Sequence, residues 1–196
     1  MVTVSPQVRA GGRREQILAV AAQLFARHGF HGVSIADLGA AVGVSGPAVY
    51  RHFENKQALL GAILVGVSQR LRAGGRAVVE AGGVPEEQLR AIIAFHVDFA
   101  LADADVIRVQ DRDLASLSDD DRHTVRRLQR EYVELWIGIL AGVHSGHGES
   151  DLRVRAHACF GLINSTPYSS RGLRGAPADS TVRGILESMA FAALTA

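Results

Sequence analysis

Apolar residues recur along most of this chain at the three-and-four spacing of amphipathic helices, and no stretch alternates with period two for a useful length. The pattern predicts an all-α protein of about nine helices. From Arg13 to His28 the positions Ile17, Val20, Ala21, Leu24 and Phe25 form one stripe, and Gly29 ends the helix as a C-cap. Ser34, with Asp37 three residues on, has the spacing of a capping box with Asp in place of Glu, so a second, short helix starts there and breaks at Gly43. Ser45 is placed to cap a third helix, with Gly46 and Pro47 in its first turn, running through Phe53. Asn55 caps a fourth, longer helix with the stripe Leu59, Leu60, Ile63, Leu64, Val67 and Leu71, its end blurred by Gly74-Gly75 and Gly82-Gly83.

Beyond Pro85 the helical period continues near 86–101, 103–116, 119–142, 150–165 and 179–195. Ser145–Glu149 and Tyr168–Ala178, rich in Gly, Ser and Pro, are the expected loops. The first twelve residues have no apolar core or cleavage pattern of a signal peptide, so 1–12 is expected to be a flexible arm carrying Arg9. The second and third helices stand a few residues apart and make a helix-turn-helix within a head of residues 13–58. Residues 59–196 are left for a larger helical body.

Composition narrows the class. With 47% hydrophobic and 21% charged residues the chain can bury a real core, and disorder is not expected. A single cysteine, Cys159, excludes an internal disulfide, and no apolar run reaches the length of a membrane span. Both point to a protein of a reducing cytoplasm with no membrane partner. The net charge of +1 says little until it is divided. Residues 1–56 hold six basic groups against three acids, 6 − 3 = +3, which leaves 15 − 17 = −2 for the remainder. A basic head on a slightly acidic body suits a module that meets phosphate at one end.

The informative stretch is Ser34 to Lys56, SIADLGAAVGVSGPAVYRHFENK. A helix entering the major groove needs small side chains at its leading end, so that backbone and methyl groups approach base edges, and hydrogen-bonding groups one turn later for phosphates. Ser45, Gly46, Pro47 and Ala48 supply the first, with the Ala48 methyl available to a thymine methyl. Tyr50, Arg51 and His52 supply the second. Lys56, the only lysine in the chain, opens the next helix, where its charge and the free N–H groups can act on one phosphate. Ser34 can hold another. Val44, Val49 and Phe53 have the spacing of core positions. The bland alternative makes Tyr50 and His52 ordinary surface groups. Base readout rests on few residues, chiefly Arg51 and Ala48, because Ala36 and Gly46 have no long side chain.

This segment resembles the DNA-binding domain of the TetR family of bacterial regulators over about residues 13–64, most densely at Gly43-Val44-Ser45 followed by Tyr50, His52, Phe53 and Lys56. The resemblance implies DNA contact by Ser34, Ser45, Pro47, Tyr50, His52 and Lys56. It also implies a homodimer on a near-palindromic double-stranded operator, since one reader covers too few phosphates for tight specific binding. The dimer surface implied is the last two helices, where Cys159, Phe160, Leu162 and Ile163 with Val182, Ile185, Leu186 and Met189 can form half of an intermolecular four-helix bundle. The alternative turns these residues into their own subunit's core.

The same resemblance implies a ligand cavity within about 86–165 whose filling changes the spacing of the readers. Residues suited to line an apolar pocket with polar handles are His96, Phe99, Arg108, Gln110, Tyr132, Trp136 and Asn164; each is also acceptable as plain core or surface. The stretches Val106–Asp111, Leu114–Leu117 and Arg126–Arg130 resemble an actinobacterial branch of the family associated with fatty-acid, sterol or branched-chain catabolism, several members of which answer to acyl-CoA thioesters. Arg108, Arg112, Arg126, Arg127 and Arg130 are then either phosphate ligands at a pocket mouth or a solvated basic face.

No Gly-x-Ser-x-Gly elbow, P-loop, Gly-x-Gly-x-x-Gly turn or His-Glu-x-x-His helix occurs, so an enzyme is not expected. His144 and His147, with His157 and Cys159 downstream, read as a polar turn before they read as a metal site, and no cofactor is expected. Asp119-Asp120-Asp121 reads as a helix N-terminus. The whole predicts a repressor released by a hydrophobic or acyl-CoA-type effector. Its rivals are a small-molecule-binding helical protein with no DNA function and, last, a helical enzyme.

Overall fold

The computed structural model describes residues 12–169, 175 and 177–196. The expected arm with Arg9 and the middle of the expected 168–178 loop lie outside the described residues. In chain order the helices are α1 (Arg13–His28), α2 (Ile35–Val42), α3 (Gly46–Tyr50), α4 (Lys56–Glu80), α5 (Pro85–Ala102), α6 (Ala104–Asp113), α7 (Asp119–Val143), α8 (Glu149–Ile163), the single turn α9 (Thr166–Ser169) and α10 (Asp179–Thr195). The all-α class is as the period predicted, with the four-residue α9 added to the nine expected helices.

Boundaries differ where a local signal competed with the period. The helix expected over 103–116 ends at Asp113, and Leu114–Ser116 tighten into a 3₁₀ turn. α3 stops at Tyr50, because Arg51 already serves as its C-cap and the N–H groups of His52 and Phe53 both return to the Val49 carbonyl. α4 runs unbroken through Gly74-Gly75, and the reason is packing. A Cβ on Gly74 would sit 2.1 Å from the Phe95 ring and one on Gly75 would sit 2.7 Å from Tyr132, so both glycines let neighbouring helices approach. Asp119–Asp121 do start α7, where the Ser118 hydroxyl accepts from the Asp121 N–H at 3.1 Å.

Two apolar cores result. The first gathers Ile17, Phe25, Leu38, Val49 and Phe53 with Leu59, Leu60, Leu64 and Val67 of α4, and takes in Val106 and Val109 of α6 and Val125 of α7. The second joins α5, α7, α8 and α10 through Leu89, Ile93, Val97, Trp136, Leu140, Ile163, Leu186 and Ala190. α4 belongs to both ends, so the head is docked on the body along one continuous helix rather than hung from a linker. No helix among the described residues is long and apolar enough to cross a membrane.

Candidate functional site

The reader is built from two backbone devices. Gly43 ends α2 in the left-handed region at φ 74°, which costs a glycine little, and turns the chain toward α3. Gly39 is buried at the point where α2 meets that turn. A Cβ there would lie 2.8 Å from the Val44 carbonyl oxygen and 3.0 Å from the Gly46 nitrogen, and the Val44 N–H donates to the Gly39 carbonyl at 2.8 Å. Val49 and Phe53 then anchor α3 in the first core at 0% and 5% exposure. That anchoring leaves Ser45, Pro47, Tyr50, Arg51 and His52 exposed together, with Gly46 and Ala48 half-buried between them. Ser45 stands at the N-cap of α3 but makes no capping hydrogen bond, so its hydroxyl stays available to a ligand.

The two expected phosphate holders are already engaged. Ser34 and Asp37 form the capping box that the sequence indicated. The Ser34 hydroxyl donates to the Asp37 carboxylate at 2.6 Å, its N–H donates to the same oxygen at 2.8 Å, and the Asp37 N–H donates back at 3.1 Å. The hydrogen bonds from Ser34 hold the Asp37 carboxyl below its ordinary range, so the carboxylate stays charged beside any approaching phosphate. The ammonium of Lys56 donates to the carbonyls of Phe30 and Val33, each at 2.8 Å, and lies 4.5 Å from the centre of the Phe30 ring. Lys56 thus staples the α1–α2 loop to α4. An ammonium has three donors, and one remains unused by these two carbonyls.

A second set of contacts, which the sequence did not disclose, ties the end of α6 to the head. The Arg112 guanidinium donates to the Phe25 and Ala26 carbonyls at the end of α1 and pairs with Asp113 at 2.9 Å. Gln57 donates to the Ser116 carbonyl at 3.0 Å, and the Ser116 hydroxyl meets a ring nitrogen of His31 at 3.3 Å. Asp113, an acid inside the helix expected over 103–116, is 5% exposed.

Within the body, five of the residues suggested as ligand contacts converge. His96 on α5 is 3% exposed, with Tyr132 and Trp136 of α7, Phe99 of α5 and Phe160 of α8 packed about its ring at centroid distances of 5.0–5.9 Å. Its Nδ1 lies 3.2 Å from the Tyr132 hydroxyl and its Nε2 lies 3.2 Å from Asn164 Oδ1. Burial lowers the His96 pKa from 6.5 to about 4, with the Asn164 bond opposing it, so the imidazole is neutral near pH 7. A neutral imidazole has one N–H. With Asn164 presenting an oxygen to Nε2, the proton belongs on Nε2 and Tyr132 donates to Nδ1.

Burial likewise raises the Tyr132 phenol above its usual value, so it stays a donor. The Trp136 indole N–H is enclosed near Tyr132 but makes no hydrogen bond of proper geometry. Phe99 and Phe160, each half-buried, are the rings of this cluster that still reach solvent. Cys159 is buried nearby with its thiol pushed up to about 12, which leaves it protonated and unreactive.

The other two suggested ligand residues lie apart from this cluster. Arg108 donates to the Pro167 carbonyl and stands over the Tyr168 ring, and Gln110 is half-buried on α6, while the His96 nitrogens face Tyr132 and Asn164. The five arginines considered for phosphates do not form one mouth either. Arg108 and Arg112, both on α6, are held by the carbonyls of Pro167 and of Phe25 and Ala26, whereas Arg126, Arg127 and Arg130 lie along the exposed face of α7.

The residues expected at a dimer surface divide by exposure. Ile163 at 0% exposure, Val182 at 8% and Leu186 at 7% are enclosed in their own subunit's core, so they have almost no surface left to give a partner. Phe160 stacks on Tyr132 at 5.9 Å and is spent mainly on the His96 cluster. Ile185 and Met189, one turn apart on α10, stay 49% and 51% exposed, as does Val154 of α8 at 69%. The sequence period could not separate these sets, because α10 carries apolar residues on its exposed face as well as on its buried one. The His144 and His147 rings meet edge-on at 4.9 Å, and no group of three metal-ligating side chains occurs among the described residues.

A compact helix-turn-helix head with its α3 edge exposed, docked on a helical body that encloses a polar cluster, defines a one-component DNA-binding regulator. Residues 17–63 match the model for bacterial regulatory proteins of the tetR family, and residues 82–172 match that for a tetracyclin repressor-like C-terminal domain. The chain belongs to the TetR family. It is 30% identical over 159 residues to the HTH-type transcriptional repressor KstR2 of Rhodococcus jostii (strain RHA1), covering 80% of this chain and 77% of that protein. In fold it is similar to the ketosteroid transcriptional regulator KstR2 of Mycobacterium tuberculosis, with TM-score 0.78, 18% identity and 97% of each chain covered. It is also similar to AibR, solved in complex with isovaleryl coenzyme A and operator DNA, with TM-score 0.75, 21% identity, and 91% and 98% of the two chains covered. The family and these relatives are transcriptional regulators and not enzymes.

Proposed function

We propose that this protein is a homodimeric repressor that binds a near-palindromic operator and leaves it when a small hydrophobic or acyl-CoA-type effector enters the body. In this reading Ser45, Gly46, Pro47 and Ala48 lead α3 into the major groove. Tyr50, His52 and the spare proton of Lys56 hold phosphates, and Arg51 with the Ala48 methyl reads base edges. Ser34 contributes only by exchanging its Asp37 partner for a phosphate. The observation that carries the reading is the one-sided exposure of α3, with Val49 at 0% beneath and Tyr50 at 52% above. Ile185, Met189 and Val154 supply the dimer contact, as large apolar groups left in water by one subunit. Repression and a thioester-bearing effector are carried over from KstR2 and AibR as named above.

The test is a mobility-shift titration on the DNA upstream of the protein's own coding sequence. Tyr50→Ala is expected to weaken binding about tenfold, the scale of one lost phosphate bond with its packing. Unchanged affinity in Tyr50→Ala and Arg51→Ala together would refute the groove-facing placement of α3.

A further inference from the structure

The polar groups around His96 have an uneven account of donors and acceptors. Tyr132 donates to His96 Nδ1, and His96 Nε2–H donates to Asn164 Oδ1, so both imidazole nitrogens are used. Two donors are left over. The Trp136 N–H, on a side chain at 0% exposure, has no partner, and the amide NH₂ of Asn164 makes no hydrogen bond among the described residues. A buried N–H left unpaired costs about 1–3 kcal/mol, and a helical core of this size has no need to place one among rings. What the cluster lacks is an acceptor in line with these donors: the Tyr132 phenol oxygen lies beside the Trp136 N–H without reaching hydrogen-bond geometry. It also lacks a charge: the His96 ring is packed among Phe99, Tyr132, Trp136 and Phe160, and among the described residues no charged group acts on it.

We propose that the chain Tyr132–His96–Asn164 with the unpaired indole N–H of Trp136 is the anchor of the effector site. It takes the uncharged carbonyl oxygen of an otherwise apolar ketone, ester or thioester and rejects a free carboxylate. This rests on the reading of the body as an effector-binding domain and names the chemistry that the domain selects. A carbonyl oxygen has two lone pairs, enough for one N–H from Trp136 and one from Asn164, and brings no charge that needs a counter-ion. A carboxylate would be stripped of water against neutral rings with no cation to replace it, a cost far larger than the hydrogen bonds return. Entry requires Phe99 or Phe160 to swing aside, the two rings of the cluster that are only half-buried. Once the carbonyl is seated the apolar remainder of the ligand takes their place against Trp136.

Trp136 is the only tryptophan in the chain, so its indole N–H gives one isolated signal in a proton–nitrogen correlation spectrum. The experiment titrates the full-length protein with a graded series of straight-chain 2-alkanones and the matching alkanoates at neutral pH, and follows that signal. At least one ketone is expected to move it downfield and saturably, while its alkanoate leaves it in place. Trp136→Phe, which keeps a ring and removes the N–H, is expected to weaken the ketone about tenfold by fluorescence-independent calorimetry; Asn164→Ala should weaken it severalfold. If the alkanoates move the signal as far as the ketones, or if no ketone moves it, the anchor is overturned. Operator binding measured on the same samples separates this from the broader reading: DNA binding that survives while no ketone moves the signal removes the anchor and leaves the regulator.

Discussion

Head and body are packed on similar apolar cores but place their polar side chains in opposite environments. Tyr50 of the head is 52% exposed, whereas His96 of the body is 3% exposed and Tyr132 is 5% exposed. Exposed groups recognise a partner by reach and charge, cost little when unbound, and are screened by salt. Enclosed ones recognise by desolvation, so they discriminate strongly between neutral and charged ligands and make the protein sensitive to pH. The difference gives each half its own way of failing.

The largest effect expected is acid destabilisation of the body. His96 titrates at about 4 when folded and at 6.5 ordinarily, so between those values the unfolded chain binds a proton that the folded one does not. Stability from this group is complete above pH 6.5 and is lost as the pH falls to 4, by about 3 kcal/mol at a rate of about 1.36 kcal/mol per pH unit. Urea unfolding of the protein and of His96→Gln across that window isolates the contribution. Parallel curves for the two proteins would erase the distinction between an enclosed polar cluster and an exposed one.

Breaking the head alone is the next largest effect. In Gly39→Ala the new methyl meets backbone, the Val44 carbonyl at 2.8 Å and the Gly46 nitrogen at 3.0 Å, and backbone cannot swing away as a side chain does. Overpacking of this kind costs about 1–3 kcal/mol. Because it shifts α3 against α2, operator affinity should fall at least tenfold by fluorescence anisotropy, while the acid transition owed to His96 keeps its midpoint. A variant that binds DNA normally would show that the α2–α3 approach has slack.

The two regions also differed in how far the sequence disclosed them. The reader was legible because its signals are local: Ser34 and Asp37 lie three apart, Gly43 follows at once, and Val49 and Phe53 fix which face of α3 is inward. The body gave its helices by period but not their partners. His96, Tyr132, Trp136 and Asn164 were picked as residue types suited to a pocket, yet the 36-residue and 68-residue separations between bonded partners carry no local signal. The two apolar faces of α10 defeated the period as well. Val182 and Leu186 point into the subunit and Ile185 and Met189 away from it, although all four are apolar. Lys56 shows a third case, in which the position was read and the carbonyls it holds were not.

The smallest effect expected on stability is at the joint between the regions, and it carries the most information about how they communicate. Arg112 closes the end of α1 from α6, and removing it strands the nearly buried Asp113 carboxylate. The Arg112 side chain is 45% exposed, so solvent screens the pair, and the loss in Arg112→Ala should be about 1–2 kcal/mol rather than the larger cost of a fully enclosed pair. Arg112→Ala with Asp113→Asn should regain part of it, since the stranded charge is then gone. Each half should still bind its own ligand, because neither α3 nor the His96 cluster touches Arg112. What should fall toward unity is the ratio of operator affinities without and with effector, which measures the coupling between the sites. An unchanged ratio would mean that the signal crosses elsewhere, along α4 or α7, each of which runs from one core into the other.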